Sequence, residues 1–100
     1  MSYDLLFSSE AELDIQEAID WYEEQRQGLG LEFAMRFEDA LQFLKEQPQM
    51  YAKIYNEVRS VLMNQFSYAI FYTINGLQKE VQIFAVVHTS RNPEIWKFRV

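Results

Sequence analysis

The sequence predicts an α+β fold: a helical hairpin packed on one face of a small, mostly antiparallel sheet, in the order β-α-α-β-β-β. Three observations carry this. Apolar residues recur at helical spacing in two consecutive stretches of the first half. Glycines at positions 28 and 30 separate those stretches by only a few residues. The second half then turns to runs of β-branched and aromatic residues divided by turn signals. Two short amphipathic helices bury little against each other alone, so both stripes need a sheet to cover.

Tyr3-Asp4-Leu5-Leu6-Phe7-Ser8 is a short apolar run with a polar end and reads as the first strand. Ser9 stands three residues before Glu12, the spacing of a capping box, and Glu10 and Glu12 suit the positive end of a helix dipole. Ala11, Ile15, Ala18, Ile19 and Tyr22 form one apolar stripe, flanked by Leu13 and Trp21. This helix runs to about residue 25 or 26, where Gln27-Gly28-Leu29-Gly30 stops it.

The second helix begins near Leu31. Phe33, Phe37, Ala40, Leu41 and Leu44 form its stripe, and Glu32 and Arg36 make an i, i+4 pair. Pro48 closes it. Residues 49–56 form a connection, and a β-meander follows. Its runs are Val58-Arg59-Ser60-Val61-Leu62, then Phe66 to Tyr72, then Val81 to Val87. Asn75-Gly76 marks a turn, lengthened by Leu77-Gln78-Lys79. The third run is apolar on both faces except Gln82, as expected of a central strand covered on both sides. The tail reads either as a short helix begun by Asn92 with Pro93 at its first position, or as a closing strand Lys97-Phe98-Arg99-Val100.

One hundred residues, 49% hydrophobic and 16% aromatic, suit one folded domain over residues 1–100. The absence of cysteine excludes disulfides and thiolate metal sites. Met1-Ser2-Tyr3-Asp4 lacks the basic region of a signal peptide, and no apolar run approaches the roughly 20 residues of a membrane span. The net charge is −6, divided into −9 over residues 1–50 and +3 over residues 51–100. An acidic total speaks against nucleic-acid binding, while the basic meander hints at the sign of a partner.

No phosphate-cradling glycine loop and no metal-ligand spacing is present, so no cofactor and no metal is expected. Ser60, Ser67 and Ser90 are nucleophile candidates by residue type only. Asp14 and Glu17 lie far in sequence from His88, so a catalytic triad has no support. His88, the single histidine, sits where an apolar strand gives out. It can exchange a proton near neutrality or simply cap a sheet edge. Arg59 should share a face with Glu57, Val61 and Met63. There it can grip a phosphate or a partner carboxylate, or pair internally with Glu57. Arg91, three residues past His88, can join the same patch or stand as a loop arginine. The alternation of Tyr68, Ile70 and Tyr72 against Ala69 and Phe71 fills a small core more simply than it stacks nucleobases.

Taken in order, several features coincide: Glu12-Leu13-Asp14-Ile15, Trp21-Tyr22, Gly28-Leu29-Gly30, Phe33 and Pro48. Arg59, the run Phe66-Ser67-Tyr68-Ala69-Ile70-Phe71-Tyr72, and His88-Thr89-Ser90-Arg91-Asn92-Pro93 through Trp96 complete the set. Over nearly its whole length the chain resembles the RelE/ParE superfamily of type II toxins, the plasmid stabilization group. The resemblance implies a cytoplasmic bacterial toxin that inhibits growth and is neutralised by a cognate antitoxin, with a higher-order complex of the two as a possibility. Its target is DNA gyrase in ParE-like members and mRNA on the ribosome in RelE-like members.

As a RelE-like endonuclease the chain would use Arg59 and His88, with Arg91 as a further candidate. However, Thr89 replaces the aromatic that follows the histidine in one nuclease subgroup, Lys53 is the only lysine of the connecting segment, and Ser67 stands where the family has proline. These departures favour the ParE-like reading. In it the meander binds target or antitoxin, with Arg59, Arg91, Trp96 and Tyr68 as binding residues. A non-toxic binding module that kept the fold is the third reading.

Overall fold

The computed structural model describes residues 2–90 and 95–99. Strand β1 (Asp4–Phe7) leads into helices α1 (Ser9–Gln25) and α2 (Leu29–Glu46) and a 3₁₀ turn over Pro48–Met50. Strands β2 (Lys53–Tyr55), β3 (Val58–Leu62), β4 (Tyr68–Asn75) and β5 (Glu80–His88) follow, then a 3₁₀ turn over Ile95–Arg99. The sheet order is β1-β5-β4-β3-β2; β1 runs parallel to β5 and every other pair is antiparallel. The expected α+β architecture is thus present with one added strand. Residues 49–56, expected as a connection, contain β2, whose three residues are all exposed and which pairs irregularly with β3.

Both predicted helical stripes face the sheet. Ala11, Ala18, Phe33, Phe37, Leu41 and Leu44 are buried with Val61, Ile70, Tyr72, Val81 and Ile83 in one core. Each fully buried large side chain here contributes on the order of 1.5–3 kcal/mol relative to exposure. The helices approach closely because position 30 has no side chain: a Cβ there would lie 2.7 Å from the Ile19 carbonyl oxygen. Gly28 has φ +89°, where a glycine is favoured. The Glu23 carboxylate accepts from the Gly28 and Gly30 amides at 3.0 Å, satisfying the free N–H groups at the start of α2.

Several local expectations are corrected. The α1 cap is Ser8, not Ser9: its Oγ accepts from the Ala11 amide at 3.0 Å, and its extended backbone suits the cap role. Helix α2 starts at Leu29, two residues early, so Gly30 lies inside it. Arg36 pairs with Asp39 (3.1 Å) and Gln65 (2.9 Å), while Glu32 faces Arg26 at 3.4 Å, so the expected Glu32–Arg36 pair gives way to other partners. The tail does not form a closing strand, because residues 95–99 turn as a 3₁₀ helix; the alternative start at Asn92 and Pro93 lies outside the described residues.

A register shift shapes the central strand. Phe71 pairs with Ala85 and the next residue, Tyr72, pairs with Ile83, which leaves Phe84 as an extra residue in β5. The bulge switches which residues face the helices. Val81, Ile83 and Val86 join the helix-side core, while Ala85 joins a second cluster with Val58, Ala69, Phe71 and Trp96. The strand is therefore apolar on both faces because one face packs in the helix-side core and the other, around Ala85, in the second cluster.

Candidate functional site

Strand β1 ends its pairing at Phe7 opposite Ile83, but β5 continues to His88. On that side the extension is met by α1 and the last 3₁₀ turn. Asp14 accepts from the Val86 amide at 3.0 Å, giving that β5 N–H a partner where β1 no longer reaches. The same carboxylate takes both terminal nitrogens of Arg99, one at 3.2 Å, and Arg99 also donates to the Phe84 carbonyl at 3.3 Å. These hydrogen bonds with Asp14 push the Arg99 guanidinium above its already high ordinary value, against the opposing effect of partial burial. Asp14 and Arg99 together clip α1, the β5 bulge and the chain's end.

Beside this clip lies a cleft of about 450 Å³. The helix contributes Asp14, Glu17 and Trp21 to its walls, and the sheet contributes Tyr68, His88 and the following Ser90. Tyr68 is the register partner of His88, and their rings meet edge to face at 5.1 Å. The His88 Nδ1 accepts from the Ser90 amide at 3.0 Å and lies 2.7 Å from the Ser90 hydroxyl. An Nδ1 engaged by a backbone N–H leaves the proton of the neutral ring on Nε2. Among the described residues no group of three or more His, Cys, Asp or Glu side chains is placed to hold a metal ion.

Arg59 belongs to a different corner. It pairs in register with Tyr72, four residues along β4 from the residue opposite His88. That separates Arg59 from His88 by roughly 13 Å along the strands and roughly 10 Å across two strand spacings. Its guanidinium donates to the carbonyls of Tyr51 and, at 3.3 Å, Gln49. Tyr72, buried beneath it, donates to the Pro48 carbonyl at 2.7 Å. Burial pushes the Tyr72 hydroxyl up to about 12, with the nearby Arg59 charge pulling the other way. Glu57 pairs with Lys53 at 3.1 Å, so an internal Glu57–Arg59 bridge is not what holds Arg59.

Trp96 lies on the sheet face opposite the helices and is only 7% exposed. It stacks on Phe71 at 5.3 Å and meets Tyr55 edge to face at 5.6 Å. Arg91 falls outside the described residues. The structure thus brings His88 and Tyr68 together and leaves Arg59 and Trp96 elsewhere. It adds Asp14 and Glu17, which sequence distance had set apart from His88, together with Trp21 and Arg99. A signal for three of them existed: Asp14, Glu17 and Trp21 recur at i, i+3 and i+7, one helical face beside the apolar stripe.

Residues 5–93 match the model of the ParE toxin of the type II toxin-antitoxin system parDE. The chain belongs to the ParE toxin family. It is a type II toxin of the RelE/ParE superfamily by that membership, and solved structures agree on the fold. A chain of the chromosomal ParDE toxin-antitoxin system from P. aeruginosa superposes with a TM-score of 0.74 at 17% identity, covering 86% of this chain and 95% of that one. The isolated E. coli RelE toxin gives a TM-score of 0.68 at 16% identity, covering 96% and 94%. A chain of the intact E. coli RelBE toxin-antitoxin complex gives 0.67 at 15%, covering 89% and 99%. No curated relative matches significantly. Among the described residues no helix is long and apolar enough to cross a membrane.

Proposed function

We propose that this chain inhibits growth by binding a protein target, with DNA gyrase as the leading candidate, and that a cognate antitoxin neutralises it. The reading is ParE-like and non-nucleolytic. One observation carries it: among the described residues the histidine cleft holds two carboxylates and a single cation, Arg99, which one of those carboxylates engages. A site for RNA cleavage needs positive charge around the scissile phosphate. Here Asp14 and Glu17 line the cleft, Arg99 is engaged by Asp14, and Arg59 is engaged by main-chain carbonyls at another corner. Two carboxylates beside the histidine disfavour a polyanionic substrate.

The antitoxin partner is supported by family membership and by relatives solved as toxin-antitoxin complexes. The cytoplasm is the compartment where such a target and such a partner would be met.

The test is inducible expression in bacteria, alone and together with a small neighbouring open reading frame that encodes the antitoxin. Growth arrest with DNA-damage signalling, inhibition of purified gyrase and rescue by the neighbour are expected. Normal supercoiling in the presence of the purified chain would remove gyrase as the target. Transcripts cut at the ribosomal A site, with cutting reduced by His88→Ala and Arg59→Ala, would replace this reading with mRNA endonuclease activity. Harmless overexpression with retained partner binding would replace it with a non-toxic binding module.

A further inference from the structure

The cleft beside His88 has a chemistry that selects its occupant, and we infer that it receives the guanidinium of an arginine presented by a protein partner. This rests on the protein-binding reading above and names the partner's side chain at that site.

The described residues lining the cleft carry two carboxylates, Asp14 and Glu17, and one guanidinium, Arg99. Among these described side chains the carboxylates outnumber the guanidinium by one. Asp14 already accepts from Arg99 and the Val86 amide. Glu17 is exposed, and among the described residues no salt bridge or hydrogen bond engages it. Among the described residues the carboxylate left without a bonded cation is therefore Glu17, which feels the Arg99 charge without bonding to it.

The second element is an open aromatic face. Trp21 is 54% exposed, although it stands on a helix whose other large apolar side chains mostly turn toward the sheet. Its ring is steadied by an edge-to-face contact with Tyr22 at 5.0 Å. Glu17 and Trp21 are i and i+4 on α1, so their side chains are neighbours on one helix face. A planar cation entering the cleft can lie over the indole while meeting the Glu17 carboxylate in plane.

The third element is room. A cleft of about 450 Å³ accommodates a long side chain. Arginine is favoured over lysine because stacking and bidentate pairing use the flat guanidinium together, whereas an ammonium is compact and strongly hydrated. An anionic or neutral occupant would leave Glu17 uncompensated.

The experiment uses the purified chain and N-acetyl-arginine methylamide as the probe. The citrulline analogue serves as a neutral match of the same shape, and the lysine analogue as a cation of different shape. Titrations are followed by amide and indole NMR signals. Arginine should shift the Trp21 indole and the amides of Glu17 and His88 saturably, leaving the Trp96 indole in place; lysine should bind more weakly and citrulline should do nothing. Trp21→Ala should weaken arginine binding about fivefold, and Glu17→Gln should weaken it at least as much. Both positions are exposed, so the fold is kept, and unchanged dispersion elsewhere in the spectrum verifies it. Equal shifts from citrulline, shifts centred on Trp96, or unchanged affinity in Glu17→Gln would overturn the assignment. Because no cellular target is involved, failure here is separable from failure of the growth-inhibition reading: a toxic chain that ignores arginine refutes only the pocket, and a harmless chain that binds it refutes only the toxin.

Discussion

Two arginines at opposite ends of the sheet show how differently one side chain can be used. Arg59 lies over the corner where the 3₁₀ turn meets β2, and its donors end on the Gln49 and Tyr51 carbonyls. With Tyr72 holding the Pro48 carbonyl, it fastens a connection that has only a 3₁₀ turn and a three-residue strand of its own. Arg99 instead meets a carboxylate, at the edge of an open cleft. One corner is closed and self-satisfied; the other keeps a carboxylate, an indole and an imidazole accessible. A cation in a β-rich half is therefore no sign of a binding site until its hydrogen-bond partners are known.

That contrast can be broken in a graded series. The largest effect is expected from Asp14→Ala, which leaves the partly buried Arg99 and the Val86 amide without their acceptor. Urea unfolding should show a loss of about 2–3 kcal/mol, and Asp14→Asn should recover a part of it. If Asp14→Ala melts like the parent, the clip is not structural. Next is Arg59→Met, which keeps the stem but frees two carbonyls. A loss of about 1–2 kcal/mol in the same assay is expected, with growth inhibition per folded molecule unchanged. Inhibition lost without any loss of stability would instead make Arg59 a contact residue.

Tyr72 supplies a pH test of the closed corner. Its hydroxyl is raised to about 12 in the fold, against 10.0 for the exposed group. Its contribution is therefore complete below pH 10 and is lost as pH rises through about 12, because the unfolded chain releases its proton first. Stability measured from pH 9 to 12 should fall more steeply in the parent than in Tyr72→Phe, although the variant starts lower for want of the Pro48 hydrogen bond. Parallel curves would show that Tyr72 does not drive the alkaline loss. The smallest effect on stability is expected from Glu17→Gln, within about 0.5 kcal/mol as for exposed sites generally. A large loss there would mean that Glu17 supports the fold and is not held ready for a partner.

The legible part of the molecule was its periodic part. Both helical stripes, the Gly28 break, the Pro48 stop and the three meander runs follow from spacing and local conformational preference, which neighbouring residues set by themselves. Phe33 and Leu44 were recognisable as core residues because a 3.6-residue period leaves them one face to occupy. The family resemblance also rests on this ordered pattern. The Ser9 cap was misplaced by one residue because Ser8 and Ser9 are equivalent in type and only backbone geometry distinguishes them.

Only the tertiary structure decided the site. β2 could not be foreseen because its three residues are exposed and owe their extended form to pairing with β3. Asp14 and His88 stand 74 positions apart in the chain. They line one cleft because β1 is short, β5 overruns it, and a bulge at Phe84 turns Val86 toward the helices. Whether Arg59 is a ligand or a fastener likewise depended on carbonyls eight and ten residues away. Sequence by itself determined which faces are apolar, since that is a local periodicity. Which polar groups remain open to a partner was left to the packing, because a charge is satisfied by whatever the fold brings within hydrogen-bond distance.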